Sequence, residues 1–142
     1  MPMSDQRTPW ESALGRPYDP FPVLDALAAG EPGALDALWA HLVHRGAVGT
    51  ASYAAVPRLV DAGQLALVAA IELGREEAGA PSLPAELRTP YLRAVEYALE
   101  RVPGDSGCLQ AWYALHAARR GHRELARALQ LMDRQAILDH HG

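Results

Sequence analysis

A small set of residues in this chain could do chemistry if the fold brought them together. His41 and His44 stand three apart, and His116 lies on a later segment. Two histidines at that spacing share a helix flank, and a third from a facing helix would complete most of a divalent-metal site. Ser52 followed by Tyr53 has the residue types of a nucleophile and a proton donor, and Cys108 is the single thiol. Arg119, Arg120, Arg123 and Arg127 form the one concentrated positive run.

Each has a plainer reading. His44 points nearly opposite the stripe made by Leu35, Leu38, Trp39 and Leu42, and Asp36 lies on another flank. In "HRG" it sits where an imidazole can meet the orphan carbonyls of a helix end, with Gly46 as the stop. Ser52 lacks the G-x-S-x-G elbow and the strand that should precede it. A serine or Thr50 there suits a helix cap, and Tyr53 a packed ring with a wet hydroxyl. Cys108, at a helix start, reads as a small buried apolar residue. His116 completes an i, i+3, i+4, i+7 stripe with Leu109, Trp112 and Tyr113, so it should be at least partly buried. The arginine run could meet a phosphate or an acidic partner. As a solvated face it would pair through Glu124 with Arg120 or Arg127.

The elements that must position these residues are helical. Alanine and leucine dominate an apolar fraction of 49 %, and these residues have the best intrinsic helix propensities. Asp19 and Pro20 open a short helix that stops at Gly30. A second, "GALDALWAHLVHRG", ends at Gly46. In "YAAVPRLVDAG", Ala55, Val56, Leu59 and Val60 form a wide apolar face that leaves out Arg58 and Asp61, with Pro57 in mid-helix. "QLALVAAIELGREEAG" is apolar almost all round at its start, which marks a covered, central helix. After the break "APSLPAELRTP", Thr89 and Pro90 restart a helix with Tyr91, Leu92, Val95, Ala98, Leu99 and Val102 on one face. "CLQAWYALHAARRG" follows, and a last helix over about 123–139 aligns Leu125, Leu129, Met132 and Ala136. No strand alternation competes.

The chain therefore reads as all-α, with about seven helices in antiparallel pairs. Pairs near 21–46, 50–78 and 84–120 give a spacing near 40 residues, as in a HEAT-like α-α superhelix; a compact irregular helical bundle is the alternative. Residues 1–20, rich in Pro, Asp, Gly and Ser, are expected to form an extended N-terminal arm pinned by Trp10, and 21–142 a single helical-repeat domain. A lone cysteine fits a reducing, cytoplasmic setting. The start "MPMSDQRTPW" lacks the basic and apolar regions of a signal peptide. The longest apolar run is far short of the ~20 residues of a membrane span. All 13 basic residues are arginine, and a net charge of −4 argues against a dedicated nucleic-acid binder.

One stretch carries a resemblance. "LWAHLVHRGAVGTASYAAVPRLV" is similar to a motif of uncharacterised bacterial HEAT-like proteins, in which Leu-x-His-Gln-Gly precedes Ala-Ser-Tyr-Ala-Ala-x-Pro. His44, Gly46, Ala51, Ser52, Tyr53, Ala54, Ala55 and Pro57 match it, whereas Arg45 and Ala47 replace a glutamine and a threonine. The resemblance implies an α-α superhelix without known catalysis, and some similar proteins look like immunity partners of bacterial toxins. The expected function is a non-enzymatic protein-binding module, of immunity or scaffold type, whose partner is another protein and which uses no cofactor. Its groove would draw on Trp39, His44, Tyr53, Tyr97, Trp112, Tyr113 and His116, with the four arginines facing an acidic partner. The alternative is a metal-binding bundle using His41, His44 and His116.

Overall fold

The structure is a computed structural model that describes residues 9–104 and 106–130. It is predominantly helical: α1 (Phe21–Ala28), α2 (Ala34–Leu42), α3 (Thr50–Asp61), α4 (Leu65–Arg75), α5 (Ala85–Leu99) and α6 (Ser106–Arg119). A further helix, α7, runs over residues 123–130. The rest of the expected last helix, with Met132 and Ala136, lies outside the described residues.

α1 begins as the sequence suggests, with the Phe21 N–H donating to Asp19 Oδ1 at 3.0 Å. α2 does not continue to Arg45. It stops at Leu42, and Val43–His44 (β1) pairs antiparallel with Ala47–Val48 (β2), Val43 opposite Val48. Arg45 and Gly46 both take positive φ, 51° and 83°, at the centre of this two-residue hairpin, as a type I′ turn requires. Two facing β-branched valines stabilise such a pair. His44 is thus an exposed strand residue and not a helix-terminal cap. The Gly46 "stop" is the corner of a hairpin.

α3 starts at Thr50, with Gly49 preceding it in an extended conformation. Ser52, the third residue of the helix, accepts the Gly49 N–H at 3.0 Å. Its hydroxyl donates to the Leu42 carbonyl at 2.6 Å. Ser52 is fully buried, so one oxygen satisfies an end of α2 and an end of α3 at once. Pro57 sits inside the helix. Ala55, Val56, Leu59 and Val60 are buried as expected, and Arg58 reaches Asp25 of α1 at 2.6 Å.

Residues 9–20 do not extend away from the body. A bridge between Glu11 and Pro17 closes them into a tight turn laid over the α2–α3 joint. The Ala13 N–H donates to the His41 carbonyl, and the Ala51 N–H to the Glu11 carbonyl. The Glu11 N–H donates to Thr50 Oγ1 at 2.9 Å. Backbone groups at the end of α2 and the start of α3 need partners, and this loop supplies them.

α4 is the covered centre of the molecule, buried from Leu65 to Gly74 except at Ala66. Consecutive helices touch in the pairs α1 with α2, α3 with α4, and α5 with α6, and the hairpin lies on α4. The most extensive packing links next-but-one helices, α4 with α6 and α3 with α5. α5 starts at Ala85, five residues ahead of Pro90, which lies within it.

The buried faces of the later helices differ from the expected stripes. In α6 the buried residues are Ala111, Ala114, Leu115, Ala117 and Ala118, whereas Tyr113 is 51 % exposed. In α7 Ala126 is buried and Leu125 exposed. Small side chains let α6 lie close against α4, and the bulky residues move to the flanks. Val102, counted with the α5 face, is 67 % exposed beyond the helix end.

Two glycines mark close approaches. A Cβ on Gly74 would stand 2.6 Å from Val48 Cγ1 and 2.8 Å from the Gly46 carbonyl oxygen. A Cβ on Gly49 would overlap the backbone of Glu11 and Ser12. Gly74→Ala and Gly49→Ala are therefore each expected to destabilise the protein by about 1–3 kcal/mol through overpacking. Gly104→Ala, with nothing within 4 Å of its Cβ, serves as the control. Urea unfolding midpoints decide the matter, and equal midpoints for all three variants would contradict the close packing.

Candidate functional site

The residues singled out from the sequence separate into three places. The first is internal. Tyr53 and Glu72 are fully buried, and Tyr91 packs edge-on to Tyr53 with ring centroids 5.8 Å apart. Tyr53 donates its hydroxyl to the Pro81 carbonyl at 2.6 Å, which ties α3 to the loop before α5. Tyr53 is therefore no groove anchor: its hydroxyl is consumed inside the fold.

Glu72 was not anticipated as a centre of anything, yet it organises this region. Arg75 grips it with Nε and a terminal nitrogen, both at 3.0 Å, and the Tyr91 hydroxyl donates to it at 2.6 Å. The Arg75 guanidinium also lies 5.4 Å from the Tyr91 ring centroid. Its pKa is raised, first by the hydrogen bond to Glu72. Burial is the main cause that pushes the Tyr53 hydroxyl up to about 12, and burial followed by the Glu72 charge raises Tyr91. A glutamate within "LALVAAIEL", three residues before an arginine, is the sequence signal that points to this pair.

The second place is the joint. His41 is exposed and stacks on Tyr18, with ring centroids 4.3 Å apart and planes 15° apart. Trp39 is half-buried against the core. His41 and His44 belong to this end and His116 to α6, where it meets Trp112 and Leu99. Among the described residues no group of three His, Cys, Asp or Glu side chains is placed to hold a metal ion. The trio required by the metal alternative does not converge.

The third place does gather expected residues, at the C-terminal half of α5 and the face of α6 beside it. The Trp112 indole N–H donates to the Ala98 carbonyl at 3.0 Å. His116 Nε2 lies 3.3 Å from the Leu99 carbonyl oxygen. Both side chains reach carbonyls of the last two residues of α5, that of Ala98 also accepting the Arg101 N–H. Trp112 packs edge-on against Tyr113 and against His116. Tyr97, 50 % exposed, has the Arg101 guanidinium 4.2 Å from its ring centroid. Between the helices lies a half-open cleft of about 380 Å³ lined by Glu96, Leu99, Glu100, His116, Arg119 and Arg120.

The arginine run is largely engaged, and not with Glu124. Arg123 and Arg127 both bind Glu77, which follows α4, the latter at 2.7 Å. The hydrogen bond from Arg123 is the main cause holding the Glu77 carboxyl below its ordinary pKa. Arg119 faces Glu96 at 3.7 Å. The local pairing expected within the run is replaced by pairing to residues distant in sequence, because the tertiary fold places Glu77 beside two arginines. The Arg120 side chain has no hydrogen-bond or ion-pair partner among the described residues.

The chain matches no model of a known protein family, no curated protein and no solved structure.

Breaking the buried pair tests the internal cluster. Glu72→Gln leaves Arg75 only its longer contact with Glu76 at 3.8 Å; one-sided loss of a buried pair costs about 3–5 kcal/mol. Arg75 is 21 % exposed, so partial rehydration moves the expected loss toward the low end. Tyr91→Phe should cost about 1–3 kcal/mol. Denaturant unfolding of both variants is the measurement, and losses within ~0.5 kcal/mol would mean that Glu72 reaches water.

The raised tyrosines give a pH dependence with a definite sign. Above pH 10 an unfolded tyrosine loses its proton while Tyr53, shifted to about 12, keeps it. Folding stability should thus fall as pH rises from about 10 to about 12, by up to ~2–3 kcal/mol from this group. Tyr53→Phe should flatten that alkaline limb. An unchanged slope would count against the burial of the hydroxyl.

Proposed function

We propose that this chain is a protein-binding module with no catalytic role, built as a HEAT-like α-α superhelix. Packing of helices against next-but-one neighbours supports that architecture, since stacked helix pairs make such contacts along both layers. The resemblance of residues 35–62 to bacterial HEAT-like proteins supports it as well. The motif residues there are structural in this molecule: Gly46 turns the hairpin, Ser52 joins two helices and Tyr53 anchors the next loop.

The observation that carries the functional reading is the α5–α6 surface. Tyr97, Tyr113 and Val102 are exposed, and a cleft lined by charged groups lies between the same two helices. Exposed aromatic rings next to charged groups form the kind of anchor that protein interfaces favour. An immunity or scaffold role in the cytoplasm is the sharper form of this proposal.

Site-directed photo-cross-linking tests it. With p-benzoylphenylalanine in place of Tyr113, the protein should capture one discrete partner in native lysate. Excess unmodified chain should compete that adduct away. The same probe in place of Glu31, exposed ahead of α2, should capture nothing comparable. No competed adduct at Tyr113, or an equal one at Glu31, would overturn the assignment of this surface.

A further inference from the structure

The two walls of the α5–α6 cleft carry opposite charge. One wall holds Glu96 of α5 and Glu100 just after it, and the other His116 and Arg119 of α6 and Arg120 just after it. Glu100 follows the last residue of α5, where the negative end of the helix dipole adds to the carboxylates. The charged contact across the cleft, Arg119 to Glu96 at 3.7 Å, is too long for a hydrogen bond. Arg119 Nε is buried and has no hydrogen-bond partner among the described residues. Arg120 and Glu100 are exposed, and their side chains have no partner among the described residues.

The Arg119 side chain is 36 % exposed although its Nε is buried, so an incoming carboxylate would meet the terminal nitrogens of the guanidinium. Arg119 and Arg120 could then share it, since guanidinium groups match carboxylates in a forked geometry. An anion alone, however, would also face Glu96 and Glu100, and a cation alone would face the arginines. A duplex or strand of nucleic acid would bring phosphates against the acidic wall. The occupant that satisfies both walls carries both charges. The volume, about 380 Å³, is near the low end of the ~300–1,000 Å³ of ligand pockets, enough for side chains entering from a surface.

We propose that the cleft receives a segment of a partner protein that directs a carboxylate at Arg119 and Arg120 and a cationic side chain at Glu96 and Glu100. A helix bearing Glu and Arg four residues apart meets this requirement, because such residues project side by side, roughly 5–6 Å apart at Cβ. Tyr97, on the next position from Glu96, and Tyr113, one turn before His116, supply the flanking apolar contact. This inference rests on the protein-binding reading and names the chemistry of the partner.

The test uses the full chain labelled with ¹⁵N and four alanine-based helical peptides of equal length. One carries Glu and Arg four apart, one two Glu, one two Arg, and one neither. The Glu/Arg peptide should give saturable shifts at the Trp112 indole N–H and the Leu99 and Arg120 amides. Its affinity should exceed that of the others by about three- to fivefold, the scale of an exposed ion pair. Arg120→Glu and Glu100→Arg, both at exposed positions, should each remove that advantage and lower the Tyr113 cross-linking yield. Equal or tighter binding of the two-Glu peptide would reduce the cleft to a plain anion site and overturn the proposal. So would an absence of peptide shifts together with a Tyr113 cross-link that both charge reversals leave intact; the protein-binding reading would survive that result. Loss of the cross-link in the unmutated protein would instead remove the reading itself.

Discussion

A buried carboxylate constrains this molecule more than any other single group. Glu72 lies on the most covered helix, and an ionised carboxylate without partners in that environment would be prohibitively costly. Arg75, one turn along the same helix, supplies the counter-charge, and the Tyr91 hydroxyl from α5 supplies a further hydrogen bond. Satisfying Glu72 therefore fixes the position of α5 relative to α4. Tyr91 also packs on Tyr53, whose hydroxyl holds the loop entering α5. α3, α4 and α5 are brought into register by one linked set of polar and aromatic contacts. Around it, alanine faces let α6 and α7 close on the core.

The other end of the molecule is held by a different device. α2 ends early because the chain turns through a hairpin, and the turn docks on α4 where Gly74 leaves room for Val48. Ser52 then bonds the last carbonyl of α2, and the N-terminal loop supplies acceptors and donors to both helix ends. A stretch dense in His, Ser and Tyr thus spends Ser52 and Tyr53 on the backbone of its neighbours. The residue types that suggest catalysis are here doing the structural work of joining helices.

What is left facing outward is concentrated on α5 and α6. Trp112 and His116 are half-committed, each bonded to a carbonyl of α5 while lying beside the cleft. His116, which lines the cleft, thus also reaches the end of α5. Charged groups on the two walls remain under-satisfied, and two tyrosines stand exposed beside them. The proposed protein-binding function rests on this cleft of mixed charge and on the exposed tyrosines of the same two helices.

Much of this was legible in the sequence. Helix content, the covered character of α4, the buried face of α3 and the opening of α1 all follow from propensity, capping and apolar spacing. These act within a turn or two of the chain, so local order encodes them. Of the seven groove candidates, Tyr97, Trp112, Tyr113 and His116 lie on α5 and α6, whereas Trp39, His44 and Tyr53 lie elsewhere. The hairpin left a weaker trace, two valines flanking Arg-Gly, because arginine is an unusual first residue for a turn with two positive φ angles. In α6 and α7 the fully buried residues are mostly alanines, so apolar size alone does not mark the faces that pack. Burial depends on how closely two helix axes approach, and that distance is set by residues on α4 far away in sequence. The pairing of Arg123 and Arg127 with Glu77, and the roles of Glu72 and Ser52, belong to the same category. The sequence by itself determined which segments are helical and where most of them stop. Only the tertiary structure decided which faces meet, because the partner of a buried charge or an orphan carbonyl is chosen by proximity in space.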